Sequence, residues 1–261
     1  MAAAAAAQTE RSVVVAGRRV RALIGGSGPA AVVLHHSTGN PGWLPFHEEL
    51  STRFTTFAVD MPGYGQSERP EWAREPRDLA VMLNRATRAF GIERFVLVGL
   101  GFGGFVAAEM AALDASRIDQ LVLVGAAGLQ PREGEIADQM MMDYHEYVSA
   151  GFRDAERYEA SYGHQAKELR ELWEFSREMT ARVTWKPYMF SRRLAPLLAD
   201  VDSPALLVWG EADAIVPLDV ARQYQEALPQ AVLEVIPGAG HLVEMEEPSR
   251  VASLVRVPAM A

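Results

Sequence analysis

The run Phe95-Val96-Leu97-Val98-Gly99-Leu100-Gly101-Phe102-Gly103-Gly104-Phe105-Val106-Ala107-Ala108-Glu109 limits the possible folds more than any other stretch. Apolar residues in succession suit a strand covered on both faces. The glycines at 99, 101, 103 and 104 permit a sharp turn into a helix and a close approach of helix to strand. Such a turn points its tip residue, and the first N–H groups of the helix, at whatever lies above the sheet. A phosphate-binding turn and a nucleophile elbow share this layout. In the second, the tip falls on Gly101, which has no side chain.

The flanking chain repeats the same alternation. Residues 12–16 and 19–24 read as a hairpin around Gly17, and 30–34 as a short buried strand. That strand ends in the polar loop His35-His36-Ser37-Thr38-Gly39-Asn40-Pro41-Gly42, where open α/β sheets place ligand chemistry. A helix over 43–50, a strand over 54–59 and a helix over 77–90 follow. After the opening stretch come a strand at 121–124, one at 205–209, a helix at 218–228, a strand at 231–236 and a helix from near Pro248. Strands alternating with helices predict an α/β fold, with a mostly parallel sheet flanked by helices. Between about Gln130 and Asp200 the buried-strand signal stops. This part reads as an inserted helical cap (130–200) on a core formed by 12–129 and 201–261, with 1–11 as a disordered tail. Large apolar residues of the cap, Met141 and Trp185 among them, are expected partly to hold it together and partly to line a substrate cavity.

Charge and composition exclude several function classes. With a net charge of −9, the 261-residue chain lacks the clustered Lys and Arg that nucleic-acid binding requires. The absence of cysteine rules out disulfides, thiolate metal sites and a Cys nucleophile, and fits a cytoplasmic setting. No apolar run reaches the length of a membrane span, so no membrane partner is expected. A small-molecule substrate and a monomer or homodimer are the expectation.

Three strand-end features fall in order: the turn Gly99-Leu100-Gly101-Phe102-Gly103, then Asp213 after a strand, then His241 after the turn Pro237-Gly238-Ala239-Gly240. With Val33-Leu34-His35 and Asp60-Met61-Pro62-Gly63-Tyr64-Gly65-Gln66-Ser67, they resemble the α/β-hydrolase superfamily from about Ser12 onward. The resemblance implies an α/β-hydrolase fold, His241 as base and Asp213 as its orienting acid. It also implies an oxyanion hole made by the N–H groups of Phe102 and Ser37, and no cofactor. The chain departs from the family pattern twice. Gly101 stands at the nucleophile position, and His36 stands where the family usually has glycine.

No covalent intermediate can form on Gly101. The expected function is therefore hydrolase-like, or lyase- or cyclase-like, with the His241–Asp213 pair deprotonating water or substrate directly. A small, largely apolar ester, lactone or other carbonyl compound fits, with His36, Thr38, Trp185 and Met141 as substrate contacts. The alternatives are a Ser37 or Thr38 nucleophile, a ligand-binding protein without chemistry, and a serine hydrolase whose serine was replaced by Gly101. A dinucleotide fingerprint over Gly99, Gly101 and Gly104 lacks its ribose-binding acid, since Gly125-Ala126-Ala127 follows the next strand. No metal is expected: His35, His36 and His47 have no completing ligand at a recognisable spacing. Glu244, Glu246 and Glu247 read as a solvated approach to the last helix.

Overall fold

The structure, a computed structural model, describes residues 8–163 and 166–258. Eight strands form one sheet: β1 (Thr9–Val15), β2 (Arg18–Gly26), β3 (Ala30–Leu34), β4 (Thr55–Val59), β5 (Phe95–Leu100), β6 (Ile118–Val124), β7 (Ala205–Gly210) and β8 (Ala231–Ile236). Their order is β1-β2-β4-β3-β5-β6-β7-β8. β2 runs antiparallel to β1 and β4, and all other pairings are parallel. The hairpin begins earlier than the sequence suggests. Thr9, Glu10 and Arg11 pair with Ile24, Leu23 and Ala22, so the expected tail over 1–11 is corrected at these positions. Residues 1–7 of that tail lie outside the described residues.

Alternation along the central strands builds two apolar layers, as a period of two dictates. Val32, Leu34, Leu97, Leu121, Leu123 and Leu207 join the core on one face; Val33, Val96, Val98, Val122, Val124 and Val208 join the core on the other. The second layer is closed by α1 (Pro45–Ser51) and α10 (Pro248–Leu254), through Phe46, Leu50, Val251 and Ala252. The first is closed by α2 (Pro76–Ala89), α3 (Phe102–Leu113) and α8 (Leu218–Ala227). Proline opens α1, α2 and α10, where its missing N–H has no helical partner to lose. At the entrance to α3 a Cβ on Gly99 would come within 2.5 Å of the Gly104 Cα, so strand and helix touch backbone to backbone.

Between β6 and β7 the chain leaves the sheet. It forms α4 (Tyr144–Ala150), α5 (Ala155–Tyr158), a π-helical turn (Glu159–Gly163), α6 (Ala166–Thr184) and α7 (Leu194–Leu198). The stretch 130–143, expected within the helical segment, contains no helix; Pro131 and Gly134 interrupt it. Tyr64 OH bonds Thr180 Oγ1 at 2.8 Å, and the same Oγ1 bonds the Ser37 carbonyl at 3.2 Å. These contacts fasten α6 to two sheet loops. Among the described residues no helix is long and apolar enough to cross a membrane.

Candidate active site

Every group of the site hangs from the C-terminal end of a parallel strand. β3 delivers His35 and His36, β5 delivers Gly101, β7 leads to Asp213, and β8 leads to His241. Gly101 has φ +53° and caps α3, a backbone state that glycine adopts at little cost. Its N–H bonds the Val124 carbonyl at 2.8 Å and its carbonyl accepts from the Ala127 N–H at 3.1 Å, so the tip is held by the start of the next loop.

His241 and Asp213 meet as the sequence order implies. His241 Nδ1 lies 2.9 Å from Asp213 Oδ2. The other carboxylate oxygen accepts the N–H groups of Ile215 and Val216 at 2.9 and 2.8 Å. An ionised carboxylate only accepts, so Nδ1 carries the proton and Nε2 presents a lone pair. Burial opposes charge on His241, but the Asp213 carboxylate, by its charge and its hydrogen bond, more than offsets that. Glu244 adds to the effect, and the imidazole titrates above its ordinary value.

The neighbouring histidines divide. His35 accepts the Met61 N–H at Nε2 (3.1 Å) and donates from Nδ1 to the His36 carbonyl (2.7 Å). Burial drives its pKa down to about 4, so it is a neutral strut for the loop. His36 turns the other way. Its Nε2 lies 3.0 Å from Glu244 Oε1, and its ring is 5.1 Å from that of His241 at an interplanar angle of 64°. A Cβ placed on Gly101 would collide with His36 Nδ1 and lie 3.0 Å from His241 Nε2. Positions 36 and 101 are thus in contact: the space a side chain at 101 would take is filled by the His36 imidazole.

Ser37 is buried, and its hydroxyl bonds Tyr147 OH at 3.4 Å. Burial pushes that phenol up to about 12, so it stays protonated. Neither Ser37 nor Thr38 is hydrogen-bonded to His241 among the described residues, although both border the same cavity. The backbone N–H groups of Ser37 and Phe102 have no protein acceptor among the described residues. The cavity is roofed by Tyr147 of α4, Tyr162 of the π turn and Trp173 of α6.

Two expected substrate contacts are corrected. Met141 is 83% exposed and Trp185 is 71% exposed, and neither lines this cavity. Met141 lies in the irregular stretch before α4; Trp185 follows the end of α6 and borders a separate cleft with Phe105 and Arg77. The residue that sequence reasoning missed is Glu244. Its place beside Glu246 and Glu247 predicts a solvated side chain, but it is 1% exposed and holds His36. It sits on α9 (Val243–Glu246), a single turn just after His241. The short interval between Glu244 and His241 was the available signal. His47 also borders the cavity, but its Nδ1 accepts the Leu44 N–H at 3.0 Å, and among the described residues no group of three metal-ligating side chains converges.

A largely parallel sheet with a histidine–carboxylate pair at its strand ends, above a glycine-flanked strand–turn–helix, defines a protein of the α/β-hydrolase class. The chain belongs to the alpha/beta hydrolase family, whose pattern matches residues 32–254. It is 29% identical to the 2-hydroxymuconate semialdehyde hydrolase of Pseudomonas sp. strain CF600, over 94% of this chain and 92% of that one. It is 27% identical to an uncharacterized protein of Mycobacterium tuberculosis, over 92% of this chain and 78% of that one. Among solved structures, the 2-hydroxy-6-oxo-6-phenylhexa-2,4-dienoate hydrolase of a Rhodococcus species superposes with a TM-score of 0.78 at 23% identity, covering 95% of this chain and 97% of its own.

Proposed function

We propose that the protein is a hydrolase without a side-chain nucleophile, acting on a small, largely apolar ester, lactone or ketone by direct general-base catalysis from His241. The observation that carries this reading is the free Nε2 of His241, fixed by Asp213 and 3.0 Å from the place a Gly101 Cβ would take. A water or an acidic substrate C–H brought there would lose its proton to Nε2. The unpaired N–H groups of Phe102 and Ser37 would receive the oxyanion. The helices between β6 and β7 would act as the cap, with Tyr147, Tyr162 and Trp173 supplying an apolar wall. Relatives named as hydrolases of carbonyl compounds support a hydrolytic reaction.

The reading in which Gly101 merely replaced a serine is disfavoured by His36. A serine hydrolase stripped of its hydroxyl would keep room for the lost side chain, whereas here an imidazole nitrogen occupies it. Turnover of p-nitrophenyl butyrate tests the proposal. The expected result is measurable hydrolysis, unaffected by a serine-directed fluorophosphonate and reduced by about 10³-fold or more in His241→Ala. Full activity of that variant, or inactivation by the fluorophosphonate, would overturn it.

A further inference from the structure

We propose that His36, backed by Glu244, is a second catalytic imidazole that protonates the leaving group while His241 deprotonates water. This inference rests on the hydrolytic reading given above. It begins from a duplicated construction. His36 has a buried carboxylate on Nε2 at 3.0 Å, just as His241 has one on Nδ1 at 2.9 Å. The opposite nitrogen of each ring is free of protein partners among the described residues, and both free nitrogens converge on the space above Gly101.

A ring that only filled space would need no carboxylate behind it. Burying Glu244 costs desolvation, and its Oε2 has no hydrogen-bond partner among the described residues, a further cost. Burial pushes the Glu244 carboxyl up, but the charge of His36 and its hydrogen bond overcome this and hold it below the usual carboxylate range. With Nε2–H donating to that carboxylate, a proton carried on Nδ1 points into the site, within reach of a leaving group above Gly101.

The geometry divides the proton work that one histidine does in turn when a serine is present. Water gives its proton to His241 Nε2 and its oxygen bonds the carbonyl carbon. The tetrahedral intermediate then expels the alcohol oxygen, the C–O bond breaks, and that oxygen takes the proton from His36 Nδ1. Acid and alcohol leave, and a proton passes from His241 through solvent to His36. Between the two transfers both rings carry a proton with centroids 5.1 Å apart, and the oxyanion formed at the same moment offsets their repulsion.

Leaving-group dependence separates acid catalysis from a structural role. Ethyl butyrate expels a poor leaving group that needs a proton; p-nitrophenyl butyrate expels a stable anion that does not. His36→Gln should slow ethyl butyrate hydrolysis by about 100-fold or more and the nitrophenyl ester by less than about tenfold. Glu244→Gln should shift the two rates in the same sense by a smaller factor, and it carries the test if the first variant fails to fold. Equal losses on both esters, or no loss, overturn the role of His36 and leave the base function of His241 standing. Failure of the unaltered protein to cleave either ester overturns the hydrolytic reading itself.

Discussion

The two histidine–carboxylate pairs look alike in distance and differ in how they are anchored. Asp213 has both oxygens satisfied, one by His241 and one by the N–H groups of Ile215 and Val216. Glu244 has one oxygen on His36 and the other without a protein partner among the described residues. The first pair is wired into a β7 loop whose backbone depends on it. The second joins a strand-end loop to the single helical turn α9. The difference teaches that the first pair is part of the scaffold of the fold, while the second is kept at some cost to stability, as expected of groups retained for function.

The comparison breaks first at Asp213. Asp213→Asn should reduce p-nitrophenyl butyrate turnover by about 10³-fold, because the base loses its orienting anion. In the unaltered protein the rate should rise with pH through an inflection above 6.5, since only neutral His241 accepts a proton and its pKa is raised. In the variant, burial is left largely unopposed, and the residual activity should show its inflection at lower pH. An inflection that does not move would mean that another group limits the rate.

A reciprocal exchange sharpens the role of the glycine. Gly101→Ser alone should not gain reactivity toward a fluorophosphonate, since the new Cβ meets His36 Nδ1. His36→Gly combined with Gly101→Ser removes that collision and should give a serine that is labelled covalently, read by mass spectrometry. Labelling of the single variant would show that His36 yields easily and that the match between the two positions is loose.

The smallest effects concern stability. Replacing His36 and Glu244 together by leucine and methionine should leave the unfolding free energy unchanged or raise it by about 1–3 kcal/mol, because an imperfectly satisfied buried pair disappears. Replacing His241 and Asp213 by leucines should lower it by about 1–3 kcal/mol, because two backbone N–H groups lose their acceptor. Urea denaturation of both double variants reads the contrast; equal shifts would erase the distinction between the pairs.

Much of this was legible in the sequence where local rules decide. The stretch 95–109 announces strand, turn and helix through an apolar run and its glycines, and β8 and the end of α8 fall within a residue of their expected places. Asp213 and His241 were readable because each follows a strand in the order that the family resemblance implies. Glu244 was not, because its partner lies 208 residues away and a glutamate beside two others looks solvated until α9 turns it inward. Met141 and Trp185 failed for a related reason. Apolar composition says that a segment buries surface, but not which residues of an irregular stretch or a helix end face the cavity.

The collision between a Cβ at 101 and the His36 ring also bears on substitution at either position. A serine at 101 would need the imidazole at 36 to move aside. The two positions are therefore coupled: the size of the side chain at 101 decides where the ring at 36 can stand.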